Sequence, residues 1–145
     1  MQTFEVVSLN ISKEKGVPKT PVEKVLLVAD HGVEGDAHAG PGHRQVSLLA
    51  AEDIAAMVEK GAAVSFGDFA ENITTRGIDL AALPIGARLS IGDAVIEKTQ
   101  IGKECHKGCA IMRKVGDCIM PRRGVFAKVI IGGEISNESP GYYGF

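Results

Sequence analysis

The sequence predicts a mostly β protein: a compact barrel of short, mainly antiparallel strands with a few short peripheral helices. Three observations carry this expectation. Glycine supplies 18 of 145 residues, well above the average of about 7%, and follows no tripeptide period, so it reads as turns. Apolar runs are short and bounded by Gly, Pro, Asn or Asp, the pattern of strands joined by tight connections. Only two modest segments have helical composition, and strands do not alternate with long helices as a parallel sheet demands.

Residues 3–11 read as the first strand, with Phe4, Val6, Ser8 and Asn10 alternating against Glu5, Val7, Leu9 and Ile11. The second set is the more apolar toward its end. Residues 12–20, with three Lys and Pro18, form a polar loop. Residues 25–29 are a short apolar run suited to a buried strand, and 31–43 a Gly-rich loop. Another strand is expected at 45–49. Helical composition follows at 51–60, where Ile54, Met57 and Val58 make an apolar stripe and Gly61 a stop signal. Further strands are expected at 72–75, 88–91, 94–99 and 126–131, with Gly86 and Gly92–Asp93 turning the chain. A short helix at 109–114 and an aromatic tail at 141–145, docked on its own barrel, complete the element order. No repeat or composition break divides the chain, so one domain over 1–145 is expected.

Hydrophobic residues at 45% and charged residues at 23% are ordinary for a globular chain and exclude a disordered tail or coiled coil. The net charge of −2 gives no bulk attraction to nucleic acid or an anionic membrane. No stretch approaches the roughly 18 apolar residues of a membrane span. Residues 1–16 lack the apolar run of a signal peptide. A cytoplasmic location is the expectation, and in a reducing compartment three cysteines do not read as structural disulfides.

Those cysteines, Cys105, Cys109 and Cys118, fall close together among Lys103, Lys107, Arg113, Lys114, Arg122 and Arg123. Positive neighbours favour thiolate, the nucleophilic and metal-binding form. Cys109 and Cys118 read equally as small buried apolar residues, whereas Cys105 sits among Glu, Lys and His. A zinc site of Cys105, His106, Cys109 and Cys118 is an alternative, although the paired spacing of zinc knuckles is absent. A second segment, Gly35-Asp36-Ala37-His38-Ala39-Gly40-Pro41-Gly42-His43-Arg44, offers backbone N–H groups with His38, His43 and Arg44 as donors for a phosphate. A solvated turn is the plainer alternative. In a third segment, alternation puts Asn72 and Thr74 on one strand face as donors for an anionic or heteroaromatic ligand, unless this is an ordinary edge strand.

Taken in order, Gly35-Asp36, Arg44-Gln45-Val46-Ser47, Gly67-x-Phe69-x-Glu71-Asn72-Ile73, Leu83-Pro84-Ile85-Gly86-x-Arg88-Leu89-x-Ile91-Gly92 and Thr99-Gln100-x4-Cys105 resemble the MOSC domain. That domain is named for the C-terminal part of molybdenum cofactor sulfurases. The resemblance runs from about residue 3 to about residue 133 and suggests a stand-alone, bacterial-type member. It implies a β-barrel that binds the molybdenum cofactor, a pterin dithiolene (molybdopterin) with a terminal phosphate. It also implies that Cys105 either ligates molybdenum or carries a sulfane sulfur. Asp36, His38, His43 and Arg44 in the Gly-rich loop would hold the cofactor, Asn72 and Thr74 would hydrogen-bond it, and Lys103 would keep Cys105 as thiolate. His106, Cys109 and Cys118 are accessory candidates, Cys109 as a resolving thiol for a persulfide.

The resemblance implies three candidate roles: a cofactor carrier, a molybdenum-dependent reductase of N-hydroxylated bases, or a persulfide sulfurtransferase. Implied partners are cofactor-biosynthesis proteins or a cysteine desulfurase. The stretch His106-Lys107-Gly108-Cys109 departs from the Asp-Pro-x-Thr-Gly-like run of the reductase branch, and the carrier reading leads.

Overall fold

The computed structural model describes residues 2–15, 17–102 and 123–144. Its strands are β1 (Gln2–Ile11), β2 (Thr20–Val22), β3 (Lys24–Val28), β4 (Gly32–Val33), β5 (Val46–Ala50), β6 (Ile73–Arg76), β7 (Arg88–Ile91), β8 (Ala94–Ile101), β9 (Val125–Ile131), β10 (Gly133–Ser136) and β11 (Pro140–Tyr143). One helix, α1 (Ala51–Glu59), and a single 3-10 turn at Leu80–Ala82 accompany them among the described residues.

Alternation along β1 breaks once, and the break shapes the barrel. Phe4 and Val6 enter the apolar core, and so does Leu9, three positions on instead of two. The extra residue is a β-bulge, where the register against β6 shifts between Val6 and Ser8. A bulge bends its strand and re-aims the side chains beyond it. Ser8 and Asn10 consequently fall on the face opposite the core, where both are buried in a polar layer.

Seven strands close into a ring, β1-β11-β7-β8-β9-β5-β6 and back to β1. Closure leaves the ring without open edges. β2 continues the ladder on the C-terminal part of β1, and β10-β3-β4 form a separate three-stranded sheet. All these pairings are antiparallel except β5 with β6. Parallel neighbours need a crossover, and α1 supplies it. Its inner side, Ile54 and Met57, packs with Leu49, Ala62 and Phe69 in a second apolar cluster. Val58, expected on that stripe, is instead 49% exposed, because the helix touches the barrel along a narrower line. Gly61 ends the helix at φ +98°, its N–H on the Val58 carbonyl.

The segment around 72–75 is no edge strand: β6 lies between β5 and β1, with Ile73, Thr74 and Thr75 fully buried. The aromatic tail docks at home as β11, inserted between β1 and β7. Gly141 permits this, since a Cβ there would lie 2.6 Å from the Phe4 ring. On β8, buried Lys98 donates to the carbonyls of Leu80, Ala81 and Leu83 at 2.7, 3.2 and 2.5 Å. Desolvation lowers its pKa, partly opposed by Asp79. The helix expected at 109–114 lies outside the described residues.

Candidate functional site

The loop between β4 and β5 carries two polar groupings, one buried and one exposed. In the first, the Asp36 carboxylate is sealed against Lys19 at 2.9 Å, both side chains fully buried. Asp36 also accepts the backbone N–H groups of Ser12 and His38, each at 3.0 Å. Burial alone would raise its pKa, but the Lys19 ammonium and these two N–H groups outweigh that and hold it below the ordinary value. Lys19 further contacts Ser12 Oγ at 3.1 Å and His38 Nδ1 at 2.9 Å. The loops at 12–19 and 36–38 are thereby clamped together.

The second grouping lies where β5 begins and β8 ends. Arg44 is exposed; its Nε donates to Gln100 Oε1 at 3.1 Å and its guanidinium sits 5.5 Å from the centre of the Phe126 ring. Thr99 Oγ1 donates to the His43 carbonyl, and Gln100 Nε2 to the Gly102 carbonyl. Beneath them Gln45, fully buried, donates to Asp30 and Gly42 and accepts from Val129 N–H. This fixes the loop end that presents His43 and Arg44.

Asn72 and Thr74 belong to a third, internal network. Asn72 Oδ1 accepts the Ser47 N–H at 3.0 Å, and its Nδ2 donates to the Asn10 carbonyl at 3.1 Å. Thr74 Oγ1 donates to Glu71 Oε2 at 2.7 Å and accepts from Asn10 Nδ2 at 3.2 Å. Both are at most 1% exposed. Glu71 has only neutral partners among the described residues, the N–H groups of Gly67 and Phe69 beside Thr74. Desolvation dominates and raises its pKa. In this geometry Asn72 and Thr74 tie β6 to β1 and β5.

Lys103, Cys105, His106, Cys109 and Cys118 lie outside the described residues. Their flanks are described: Gly102 N–H donates to the Gly124 carbonyl at 2.6 Å. Arg123 bridges Asp53 on α1 at 3.1 Å and Asp79 at 2.7 Å. Gly102 and Gly124, on either side of the sequence bearing the cysteines, therefore lie side by side near Gln100 and Phe126. Among the described residues no three His, Cys, Asp or Glu gather as a metal site, and no helix is long and apolar enough to cross a membrane. A separate groove of about 480 Å³, lined by Thr3, Glu5, Arg76 and Tyr142 among others, shares none of these residues.

The chemistry of the donor set fits an anionic, phosphate-bearing group at the second grouping. The terminal nitrogens of Arg44 have no partner among the described residues, and His43 is exposed beside it. A Cβ at Gly40 or Gly42 would meet nothing within 4 Å, so the backbone there faces open space. Lys19 and Phe126 received no role from sequence reasoning. Lys19 is one of three lysines in a polar loop and nothing local distinguishes it; Phe126 is an ordinary strand residue until Arg44 lies over it.

The sequence model of the MOSC domain matches residues 34–140 of this chain. No curated protein sequence matches it. Among solved structures, the YUAD protein from Bacillus subtilis superposes with a TM-score of 0.80 at 16% identity, covering 97% of this chain and 94% of that one. YiiM from Geobacillus stearothermophilus gives 0.72 at 21% identity, covering 98% and 75%. YiiM from Escherichia coli gives 0.71 at 18% identity, covering 100% and 71%. These likenesses establish the barrel fold.

Proposed function

Because the chain belongs to the MOSC domain family, whose members are associated with the molybdenum cofactor, we propose that it binds and hands on that cofactor, with Cys105 as molybdenum ligand or sulfur carrier. The observation that carries this reading is the exposed Arg44 guanidinium, braced by Gln100 and Phe126 beside Gly102, three residues before Cys105 in the sequence. Arg44, His43 and the Gly40–Gly42 backbone hold the cofactor phosphate. A braced guanidinium has its fork pre-oriented for two parallel bonds to an oxyanion. Lys103 favours the thiolate of Cys105. Asp36 and His38 shape the loop, and Asn72 and Thr74 support the rim from the buried polar layer on the face opposite the apolar core. When bound, the cofactor supplies two-electron chemistry at molybdenum; the chain supplies binding, orientation and charge.

The test is metal and pterin analysis of protein purified from a cofactor-producing cell. Molybdenum and pterin are expected together, with both lost in Arg44→Ala and molybdenum alone lost in Cys105→Ser. Incubation with a cysteine desulfurase and labelled sulfur separates the sulfur-carrier role: label retained on the wild type and absent from Cys105→Ser assigns it. Turnover of an N-hydroxylated base by the loaded protein would replace the carrier reading with the reductase one. Absence of molybdenum, pterin and label overturns the proposal, and stoichiometric zinc would assign the cysteines a structural metal.

A further inference from the structure

On β8 the register against β9 shifts between Lys98 and Gln100, which leaves Thr99 as the extra residue of a bulge. Unbroken alternation would put Lys98 and Gln100 on one face. Instead Lys98 pairs with Ala127, whose side chain is in the apolar core, and Gln100 pairs with Phe126 on the other face. Both ends of the Gln100 amide are engaged there. Oε1 accepts the Arg44 Nε–H at 3.1 Å, and Nε2 donates to the Gly102 carbonyl at 2.8 Å. A guanidinium cannot accept and a carbonyl cannot donate, so the amide has one possible orientation.

We infer that Gln100 is the positioning residue of the anion site: it takes the Nε–H of Arg44, leaves the two terminal nitrogens as the donor edge, and adds no charge of its own. The Phe126 ring, 5.5 Å from the guanidinium carbon, covers one face of the planar fork. What remains are the parallel N–H groups of Nη1 and Nη2, which match two oxygens carried on one atom. The site therefore takes a single terminal oxyanion head, end-on. The neutrality of Gln100 matters as much as its reach, since a carboxylate in its place would pair with Arg44 and cancel the attraction. Its Nε2 bond also fixes the carbonyl of Gly102, whose N–H is held by Gly124 at 2.6 Å. The selection of an oxyanion rests on the reading that Arg44 receives the cofactor phosphate; the orientation of the amide does not.

Proton–nitrogen-15 spectroscopy of the arginine Nε–H groups in mildly acidic solution, on cofactor-free protein titrated with inorganic phosphate, tests this. Arg44→Ala and Arg76→Ala identify two signals by their loss. In the wild type the Arg44 signal is expected to exchange with water more slowly than that of exposed Arg76, and to shift as phosphate binds. Gln100→Leu should bring Arg44 exchange to the Arg76 rate. It should also weaken phosphate binding by about three- to tenfold, because a freed arginine must be ordered on binding. Gln100→Glu should keep the Nε–H protected and the melting temperature unchanged, yet weaken phosphate by about tenfold or more, which a merely structural role would not do. Fast exchange of the Arg44 signal in the wild type overturns the proposal, even where Gln100→Leu fails to fold. So does wild-type phosphate affinity in a folded Gln100→Leu or Gln100→Glu, and either result leaves Arg44 standing as the anion site. Phosphate that never moves the wild-type Arg44 signal ends that site and this proposal together.

Discussion

At Asp36 and Thr75 single atoms decide the outcome of a substitution. Asp36 and Lys19 form an ion pair with no exposure. Taking one partner away leaves a buried charge alone, which typically costs about 3–5 kcal/mol. Asp36→Asn is expected to lose that much in urea unfolding. Replacing both residues with apolar ones should recover most of it, since a paired removal leaves no orphaned charge. Thr75 presents the opposite case. Its hydroxyl is buried with no partner among the described residues, so Thr75→Val deletes an unsatisfied group of the same shape. Unfolding of that variant should be unchanged or up to about 1 kcal/mol more costly.

Among elements, the turn at 67–70 separates two kinds of backbone strain. Gly67 has φ +89°, and a Cβ there would lie 2.2 Å from the Lys19 carbonyl oxygen. That carbonyl belongs to backbone already hydrogen-bonded across the same contact, Lys19 N–H to the Gly67 carbonyl at 2.8 Å. Neither side can retreat, and Gly67→Ala is expected to cost roughly 3 kcal/mol or more in thermal unfolding. Three residues later Ala70 holds φ +61°, a left-handed conformation that costs an L-residue about 1–2 kcal/mol. Ala70→Gly should relieve this and, after the extra freedom glycine gains when unfolded, stabilise by about 0.5–1 kcal/mol. The two substitutions move the melting temperature in opposite directions.

Across the whole molecule, two buried carboxylates set opposing limbs of the stability profile. The Asp36 pKa is held below its ordinary 3.8. Its contribution is present above 3.8 and lost as pH falls through the folded-state value. Burial raises the Glu71 pKa above 4.5. The folded state there binds the proton more tightly than the unfolded one, so stability falls as pH rises through that higher value. Urea midpoints across about pH 3 to 8 should therefore peak in mildly acidic solution. Glu71→Gln should flatten the decline above pH 4.5, while Asp36→Asn should flatten the acid limb. Barrel closure binds both sites into one unit: Asp36 clamps a loop beside β2 and Glu71 the turn before β6.

Period and punctuation were enough to predict the mostly β class, the α1 stop at Gly61, and the turns at Gly86 and Gly92. All are local properties: dihedral preference and spacing act between near neighbours. The motifs from Gly35 to Gln100 likewise carried the family resemblance. What alternation cannot say is which face becomes covered. Asn72 and Thr74 share a face, as their spacing requires, but the turn at 67–71 and Asn10 enclose that face and engage their polar atoms. Nor does spacing foresee a bulge, which put Leu9 in the core beside Phe4 and Val6. Lys19 was one polar-loop lysine among three until the chain brought Asp36 and His38 to it from 17 and 19 residues away. Class of fold and family were thus written in near-neighbour pattern and motif order. Which lysine is buried, which polar face is covered and how Arg44 is braced all waited on the folded barrel, because each depends on contacts between distant segments that exist only once it has closed.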